Sequence, residues 1–351
     1  MRILFVKLGA IGDLVHTLPA LAAVRRAFPD IEIDWAVESR SAEILRDNPM
    51  IDRLIEVDTS AIRETRSPKA MYSELKVQAG SLRERGYAAA IDLQGLLKSA
   101  MIARLSGAPR RVGFGKRELR EPLGRFLLTE RIVVPGGLNV IDKNLQLVRS
   151  ALDIRDPQTR HEFPIATSQQ HRDESARIAA MAGDRFAILN PAGGWVTKLW
   201  PAENYGGLAD RLWDEQGLVS IVVTGPKEVE LAERAVKGSR SGRLIASQPS
   251  LKGFYELARS AAVYIGGDTG PTHIAVAAGA PVVGIFGPTE WWRNGSPRAE
   301  DICVGREDIG CRVDCHRRKC SNWICMDIDV ATVAEAVATR LSRASEKEAI
   351  A

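Results

Sequence analysis

The sequence has no apolar stretch of the roughly 18 residues that a membrane-spanning helix needs, because charged residues interrupt every hydrophobic run. Its N-terminal apolar run also lacks the small-residue cleavage site of a signal peptide and leads directly into a glycine turn at Gly9. We therefore interpret this run as a first β-strand. From these absences we expect a cytoplasmic protein without a transmembrane helix.

A strong charge of one sign is also missing. The 351 residues include 48 Lys and Arg against 44 Asp and Glu, which gives a net charge of +4. Residues 1–165 carry 26 of the basic and 21 of the acidic residues, so the excess lies in the first half. This half would favour an anionic partner, although a solvated basic face explains so small an excess more simply. We expect no nucleic-acid partner.

Cysteine is scarce except in one segment. Four of the five cysteines lie within fifteen residues, with His316 among them: Cys311, Cys315, Cys320 and Cys325. Disulfides are rare in the cytoplasm, which leaves free thiols or a metal site. The paired C-x-x-C spacing typical of zinc ligands is absent. The sequence therefore favours free thiols and no metal, with these four residues as the candidate ligands if a metal binds.

Strand patterns alternate with helix patterns in two successive series, which predicts an α/β protein with two parallel sheets. Each series has the form of a Rossmann-like, doubly wound domain. Polar residues and two prolines interrupt the pattern at 155–168, so we predict domains at 1–165 and 166–330. A C-terminal helix at 331–351 would follow, with the first domain as one surface on which it could pack. Two such domains facing each other would enclose a central cleft at the carboxyl ends of their strands.

The first predicted strand ends in Gly9-Ala10-Ile11-Gly12-Asp13. Glycines at this point allow a sharp strand-to-helix turn and expose backbone amides to a ligand. The G-x-G-x-x-G fingerprint of dinucleotide-binding proteins is absent. Asp13 lies where the helix starts, so it is either a capping or first-turn carboxylate or a functional carboxylate in the cleft.

The second half contains a loop that suits an anion. Gly266-Gly267-Asp268-Thr269-Gly270-Pro271-Thr272-His273 follows a predicted strand and opens a helix of small residues. Free amides at a helix N-terminus, together with hydroxyl groups, can bind a diphosphate. We predict a binding role for the four chemically distinctive residues of this loop, Asp268, Thr269, Gly270 and His273.

Two further loops follow predicted strands in the second half. Asn190–Pro201 contains Gly194, Thr197 and Lys198, and the lysine is either a phosphate ligand or a solvent-facing residue. Thr224-Gly225-Pro226-Lys227-Glu228 ends in a carboxylate that either binds ribose hydroxyls or belongs to the first turn of a helix. Read alone, neither motif decides between its alternatives.

A basic segment, residues 110–131, contains seven basic and three acidic residues, with Arg117 and Arg120 among the basic ones. Within it, apolar residues recur at the spacing of one helix face: Leu119, Leu123, Phe126 and Leu127. The pattern predicts an amphipathic helix that packs on the core or lies at an anionic membrane surface. The arginines are candidates for holding acidic groups of an acceptor.

Taken together, several blocks of the sequence resemble glycosyltransferase family 9, the bacterial lipopolysaccharide heptosyltransferases. The blocks that carry the resemblance are ILFVKLGAIGDLVHTLPAL, DLQGLLKSA, KLWP and GGDTGPTHIAVAAGAPVVGIFGPT, and they extend over most of the chain. The segments at Asp92–Ala100, Arg120–Leu123 and Val140–Asn144 are similar to the heptosyltransferase I type. The cysteine-rich segment is instead similar to the type II enzymes.

The resemblance implies a GT-B fold and an inverting transfer of heptose from ADP-heptose to the Kdo or inner-core region of lipopolysaccharide. It implies that Asp13 is the general base, that Lys198 contacts the donor diphosphate, and that Asp268, Thr269 and Gly270 bind the donor. To these we add further candidates: Gly194, Thr197, Glu228 and His273 for the donor, and Gly12, Lys98, Arg117 and Arg120 for the acceptor. No metal or other cofactor is expected.

The acceptor that the resemblance implies, Kdo-lipid A or inner-core lipopolysaccharide, is anchored in a bilayer. An enzyme without a transmembrane segment would therefore act as a peripheral protein on the cytoplasmic leaflet of the inner membrane. Two alternatives remain: a type II or other family-9 transferase with a different glycan or protein acceptor, and a non-enzymatic nucleotide-binding Rossmann protein. The missing G-x-G-x-x-G fingerprint disfavours the latter.

Overall fold

A computed structural model describes residues 1–58, 67–155, 160–311, 315 and 317–350. The chain divides into two compact units, Met1–Ala166 and Thr167–Ala351. Each contains a parallel sheet of six strands among the described residues. This is the α/β architecture, with two Rossmann-like domains, that the alternation of strand and helix patterns predicts.

The sheet of the first unit has the strand order β3-β2-β1-β4-β5-β6. Its strands are β1 (Arg2–Val6), β2 (Glu32–Glu38), β3 (Arg53–Val57), β4 (Ala89–Asp92), β5 (Arg110–Phe114) and β6 (Glu130–Ile132). The helices are α1 (Ile11–Val15), α2 (Leu18–Ala27), α3 (Pro68–Ala79), α4 (Leu97–Leu105) and α5 (Val140–Leu152). Shorter 3₁₀ turns occupy Ser39–Leu45, Gly80–Arg85 and Pro122–Phe126.

The sheet of the second unit has the strand order β12-β11-β10-β7-β8-β9. Its strands are β7 (Phe186–Asn190), β8 (Val219–Val223), β9 (Leu244–Ser247), β10 (Val263–Gly267), β11 (Val282–Ile285) and β12 (Ile302–Val304). The helices are α6 (Gln169–Ala182), α7 (Ala202–Gln216), α8 (Val229–Gly238), α9 (Leu251–Ser260), α10 (Gly270–Ala278), α11 (Trp291–Asn294) and α12 (Val330–Ile350). Two 3₁₀ turns lie at Val196–Lys198 and Ile324–Met326.

Strand β1 is covered on both faces, which explains why its sequence is apolar throughout instead of alternating. Residues 3–6 are completely buried, and β1 pairs in parallel with β2 on one side and β4 on the other. The segments that follow these three strands consequently leave the sheet at one edge. Lys7, Asp13, Ser39 and Gln94 all belong to such segments, so the sheet gathers them from distant parts of the sequence.

Helix α12 belongs to the core of the second unit. Its apolar residues Val333, Ala334, Val337 and Leu341 are buried in one cluster with residues of β7, β8, β10 and β11. Packing of this helix on the first domain stays a prediction.

The structure corrects the local predictions at several points. The helix expected to start at Asp13 is followed at once by a second one, and Pro19 lies in the first turn of that second helix. The amphipathic helix expected at Leu119–Leu127 is wrong, because only a 3₁₀ turn forms there. Pro122 starts that turn and cannot donate the hydrogen bond that a continuous helix needs. Within the described residues, no helix is both long and apolar enough to cross a membrane.

Candidate active site

The loop after β7 brings Lys198 against the loop after β10. The ammonium group of Lys198 lies 2.6 Å from Oδ2 of Asp268 and also donates to the Asp268 carbonyl oxygen at 3.3 Å. The two side chains are only 12% and 8% exposed. Lys198 is therefore not the solvent-facing residue of the alternative interpretation, and it joins two of the predicted motifs.

Asp268 has a second polar neighbour. Nε2 of His273, on the first turns of α10, lies 3.3 Å from Oδ1 of Asp268. Burial alone would raise the pKa of Asp268, but the hydrogen bond and charge of His273 and the nearby Lys198 hold this pKa well below its usual range. The carboxylate is thus ionised at neutral pH and holds the side chains of Lys198 and His273 near the start of α10.

Helix α10 begins at Gly270, and Thr269 occupies its N-cap position without a capping hydrogen bond from its side chain. Pro271 fits the first turn, where no amide hydrogen is needed. The helix N-terminus and the Lys198 ammonium group thus lie in one small region. Free backbone amides there, next to a lysine, suit an anion such as a phosphate group.

The other second-unit candidates lie on the neighbouring loops. Thr197 is buried, and its hydroxyl donates to the carbonyl oxygen of Arg317 at 2.6 Å, so it fixes a loop. Gly194 lies on the loop between β7 and the 3₁₀ turn at Val196–Lys198. Glu228 is the N-cap residue of α8, and its Oε2 accepts a hydrogen bond from the Gly225 amide at 3.0 Å.

A cavity of about 520 Å³ opens between α8 and the end of β9, and Val229, next in sequence to Glu228, lines it. Its walls are mostly apolar and include Val229, Val236 and Ala246, with Thr224, Ser247 and Gln248 at the carboxyl ends of the strands. The Thr224 hydroxyl is buried and has no hydrogen-bond partner among the described residues. A ligand in this cavity could satisfy that group. The sequence motifs did not reveal the cavity, because β9 and α8 form it together.

In the first unit, Asp13 lies in the first turn of α1. Ala10 is the N-cap residue, which rules out the capping role for Asp13. The side chain of Asp13 remains 20% exposed, and its Oδ1 lies 3.8 Å from the guanidinium group of Arg120. Gly12 is buried in the same short helix. The structure thus brings together the candidate base and one of the predicted acceptor arginines.

The other acceptor candidates differ in their surroundings. The ammonium group of Lys98 lies 2.6 Å from Oε1 of Glu38, a buried carboxylate that also contacts Arg40 at 2.5 Å. Arg117 is exposed on the turn that follows β5. Two basic residues of the same segment are structural: Arg110 forms an ion pair with Glu130, and Arg111 donates to backbone carbonyl groups.

The first unit also contains two buried charged residues that the sequence analysis did not single out. Lys7 is 4% exposed and donates to the Leu93 carbonyl oxygen at 2.8 Å, and burial lowers the pKa of its ammonium group. Asp92 is completely buried, and burial raises its pKa to about 6. Only the position of each residue, at the end of an apolar strand, hints at this placement.

The cysteine cluster contains no disulfide among the described residues. Cys311, Cys315, Cys320 and Cys325 are free thiols, and burial, aided by the other three thiols, raises the pKa of Cys325. His316 lies outside the described residues. Within the described part of the chain, no group of three or more His, Cys, Asp or Glu residues is arranged to hold a metal. The absence of a metal stays a prediction.

Two Rossmann-like units, each with a parallel sheet of six strands, fit the GT-B fold of the glycosyltransferases. The sequence profile of glycosyltransferase family 9 (heptosyltransferase) matches residues 78–323, so the chain belongs to this family. Lipopolysaccharide heptosyltransferase 1 of Pseudomonas aeruginosa is 30% identical over 321 residues, which cover 92% of this chain and 88% of that protein.

Solved structures agree with this assignment. The structure of E. coli heptosyltransferase WaaC with ADP matches with a TM-score of 0.72 and 27% identity, over 87% of this chain and 93% of that one. The structure of the same enzyme with ADP-2-deoxy-2-fluoro heptose matches with a TM-score of 0.70, the same identity and the same coverage. The prediction of a GT-B glycosyltransferase of family 9 is confirmed.

Proposed function

We propose that the protein transfers heptose from ADP-heptose to the Kdo or inner-core region of lipopolysaccharide. The observation that carries this proposal is the Lys198–Asp268–His273 group at the start of α10, in a chain similar to heptosyltransferase 1 over most of its length. The E. coli relative has been solved with ADP and with an ADP-heptose analogue, which supports the same donor here.

In this proposal the second unit binds the donor. The amides at the start of α10 and the Lys198 ammonium group hold the diphosphate, and Thr269 and Gly270 lie beside it. The cavity beside Glu228 accepts the adenosine part, with the Glu228 carboxylate on ribose hydroxyl groups and Gly194 and Thr197 shaping the loop. The Lys198 ammonium group and the α10 amides stabilise the negative charge that develops on departing ADP, so that no metal is needed for this step.

The first unit supplies the base and the acceptor contacts. The partly exposed carboxylate of Asp13 removes the proton of the acceptor hydroxyl group as the sugar transfers with inversion. Arg120, 3.8 Å from Asp13, together with Lys98 and Arg117, holds carboxylate or phosphate groups of the acceptor. The Gly12 position allows the acceptor to approach the backbone. In this division of labour, residues 1–165 bind the acceptor and residues 166–330 the donor, with 331–351 as a supporting helix.

We also propose that the first unit docks on the cytoplasmic leaflet of the inner membrane. Leu123 and Phe126 are 61% and 69% exposed, and the Arg125 guanidinium group lies 4.6 Å from the Phe126 ring centroid. Exposed apolar side chains among arginines suit an interface of acyl chains and anionic headgroups. Leu119 is buried, so it belongs to the core and not to this surface.

The experiment is mass spectrometry of the product formed from ADP-heptose and Kdo-lipid A. One added heptose with release of ADP supports the proposal. Transfer only to a heptosylated acceptor, or only to another glycan or a protein, would replace the acceptor and keep the donor. Binding of ADP-heptose without transfer to any acceptor would favour a nucleotide-binding protein.

A further inference from the structure

The segment that carries the last cysteines is attached to the loop that carries Lys198. The Thr197 hydroxyl donates to the Arg317 carbonyl oxygen at 2.6 Å, and the indole Nε1 of Trp323 donates to the Thr197 carbonyl oxygen at 3.1 Å. These two hydrogen bonds join residues more than a hundred positions apart in sequence. Residues 317–323, which we call the docked loop, therefore have a defined place beside the candidate donor site.

The docked loop places a second cation against the same aromatic ring as Lys198. The Lys198 ammonium group lies 4.3 Å from the Trp195 ring centroid, and the Arg318 guanidinium carbon lies 5.2 Å from it. An indole ring attracts cations over its face, so it can hold both side chains without neutralising them. The two cations lie no further apart than the sum of these distances. Trp195 thus contacts two cationic side chains.

Lys198 alone offers an anionic ligand little net positive charge. Asp268 is ionised and lies 2.6 Å from Lys198, so this carboxylate already offsets the lysine charge before any ligand binds. A nucleoside diphosphate carries more than one negative charge, and a single offset lysine matches it poorly. A guanidinium group has a planar set of donors that matches two phosphate oxygens in a bidentate contact, whereas an ammonium group acts as a point charge.

We infer that Arg318, held on Trp195 by the docked loop, binds the diphosphate of the nucleotide-sugar donor as a second cation beside Lys198. The inference rests on the proposed function and extends it. Arg318 would contribute to binding of the ground state and would also offset the charge that builds on ADP as the sugar leaves. The cysteine-containing segment would then have a role in donor recognition that does not depend on a metal.

The test is calorimetric titration of ADP and AMP into wild-type protein, Arg318→Ala and Arg318→Lys, with Lys319→Ala as the matched control. Lys319 is an exposed cation on the same loop, next in sequence. We expect Arg318→Ala to weaken ADP binding about tenfold, as for loss of one charge-assisted contact, and to weaken AMP binding less. Arg318→Lys should recover part of the loss, and Lys319→Ala should bind like wild type. The loss should also shrink as salt is raised.

Two results would overturn the inference: ADP affinity in Arg318→Ala equal to that of wild type, or an equal loss in Lys319→Ala, which would indicate only general attraction by the loop. Because Arg318 is exposed, the variant should melt at the wild-type temperature, and this measurement separates lost binding from lost folding. A wild-type protein that binds no ADP would contradict the proposed donor itself. Normal ADP binding that is indifferent to Arg318 would contradict only the inference.

Discussion

The Lys198 ammonium group and the Asp268 carboxylate form a nearly buried ion pair with an Nζ–Oδ2 distance of 2.6 Å. The pair joins the loops that follow β7 and β10, which are neighbouring strands of one sheet. A diphosphate bound at Lys198 must share the ammonium group with Asp268. The lysine is therefore already positioned, and its side chain loses little freedom when the ligand arrives.

Lys198→Ala should weaken ADP binding and slow heptose transfer together, because a phosphate contact acts in both the ground state and the transition state. A charge-assisted contact contributes about 1.5–3 kcal/mol, so we expect ADP affinity to fall by roughly ten- to a hundredfold. Calorimetry and steady-state rates measure the two effects. Lys69→Ala, at an exposed lysine of the first unit, is the control. Unchanged affinity and turnover in Lys198→Ala would show that the lysine only holds Asp268.

Asp13→Asn should keep the shape of the site and remove the base. We expect turnover to fall by at least about a hundredfold, the usual contribution of a general base, while ADP affinity stays the same. Since Ala10 is the N-cap residue of α1, the substitution removes no capping interaction, and the melting temperature should change little. Single-turnover rates with Kdo-lipid A measure the effect, and Asp30→Asn is the exposed control. A variant with a nearly normal rate would remove Asp13 from the chemistry.

Asp92 should make stability depend on pH. Burial raises its folded-state pKa from 3.8 to about 6, so the folded state holds this proton more tightly than the unfolded state does. The resulting stabilisation is fully present below the unfolded pKa and is lost as the pH rises through 6, a change on the order of 3 kcal/mol.

Asp92→Asn should remove that pH dependence. Oδ1 of Asp92 accepts hydrogen bonds from the Gln94 and Gly95 amides, while Oδ2 has no partner among the described residues. An asparagine can keep the first oxygen and replace only the second. Urea unfolding at pH 4 and pH 8 measures the difference for wild type and variant. An equal slope in the two proteins would mean that another group titrates in this range.

The membrane surface is tested by the triple change Arg117→Glu, Leu123→Ser and Phe126→Ser. Arg120 is left in place because it lies 3.8 Å from Asp13, and its loss would confuse docking with catalysis. We expect binding to vesicles of phosphatidylethanolamine and phosphatidylglycerol to fall at least about tenfold, from the lost apolar burial and the reversed charge. ADP affinity should not change. Met181→Ser, at an exposed apolar residue of the second unit, is the control. Equal vesicle binding in all three proteins would contradict the docking proposal.

Arg340→Ala should destabilise the second unit. The Arg340 guanidinium group donates to Oδ1 of the completely buried Asp301 at 2.8 Å, and the substitution leaves that carboxylate with Arg298 as its remaining ion-pair partner. Removing one member of a buried pair costs about 3 kcal/mol. Arg343→Ala is the control. Arg343 is exposed, and among the described residues its guanidinium group donates to a backbone oxygen, the Glu300 carbonyl, and not to a buried carboxylate. Equal urea midpoints for the two variants would show that the buried pair adds nothing.

Local signals in the sequence were sufficient for many elements. The bounds of β7 and α7 follow from such signals, because an apolar strand ends at Asn190 and a helix starts after Pro201 and ends before a left-handed Gly217. Helices α3, α5 and α6 were not predicted. The helix expected at Leu119–Leu127 does not form, because Pro122 cannot donate the backbone hydrogen bond that a helix interior needs.

The sequence predicts the residues of each loop of the site, but not the contacts between loops. The motifs around Lys198 and Asp268 are visible one at a time, but their contact depends on the pairing of β7 with β10. Lys7 and Asp92 are buried because β1 and β4 are neighbours in the sheet. Arg318 reaches Trp195 through a fold-level contact that no local spacing encodes. In each case, the sequence did not predict which distant segments contact each other.

The anchoring of the Lys198 loop has a consequence for the order in which the molecule is made. Thr197 is held by Arg317 and Trp323, and the Trp200 indole donates to the Ile328 carbonyl oxygen at 2.8 Å. A ribosome must translate these partners long after it has translated the loop itself. The first unit is one continuous stretch and can fold while the second is still being synthesised. The loop with Lys198, in contrast, waits in the nascent chain until segments more than a hundred codons downstream emerge, and it is exposed to proteases and chaperones for that interval.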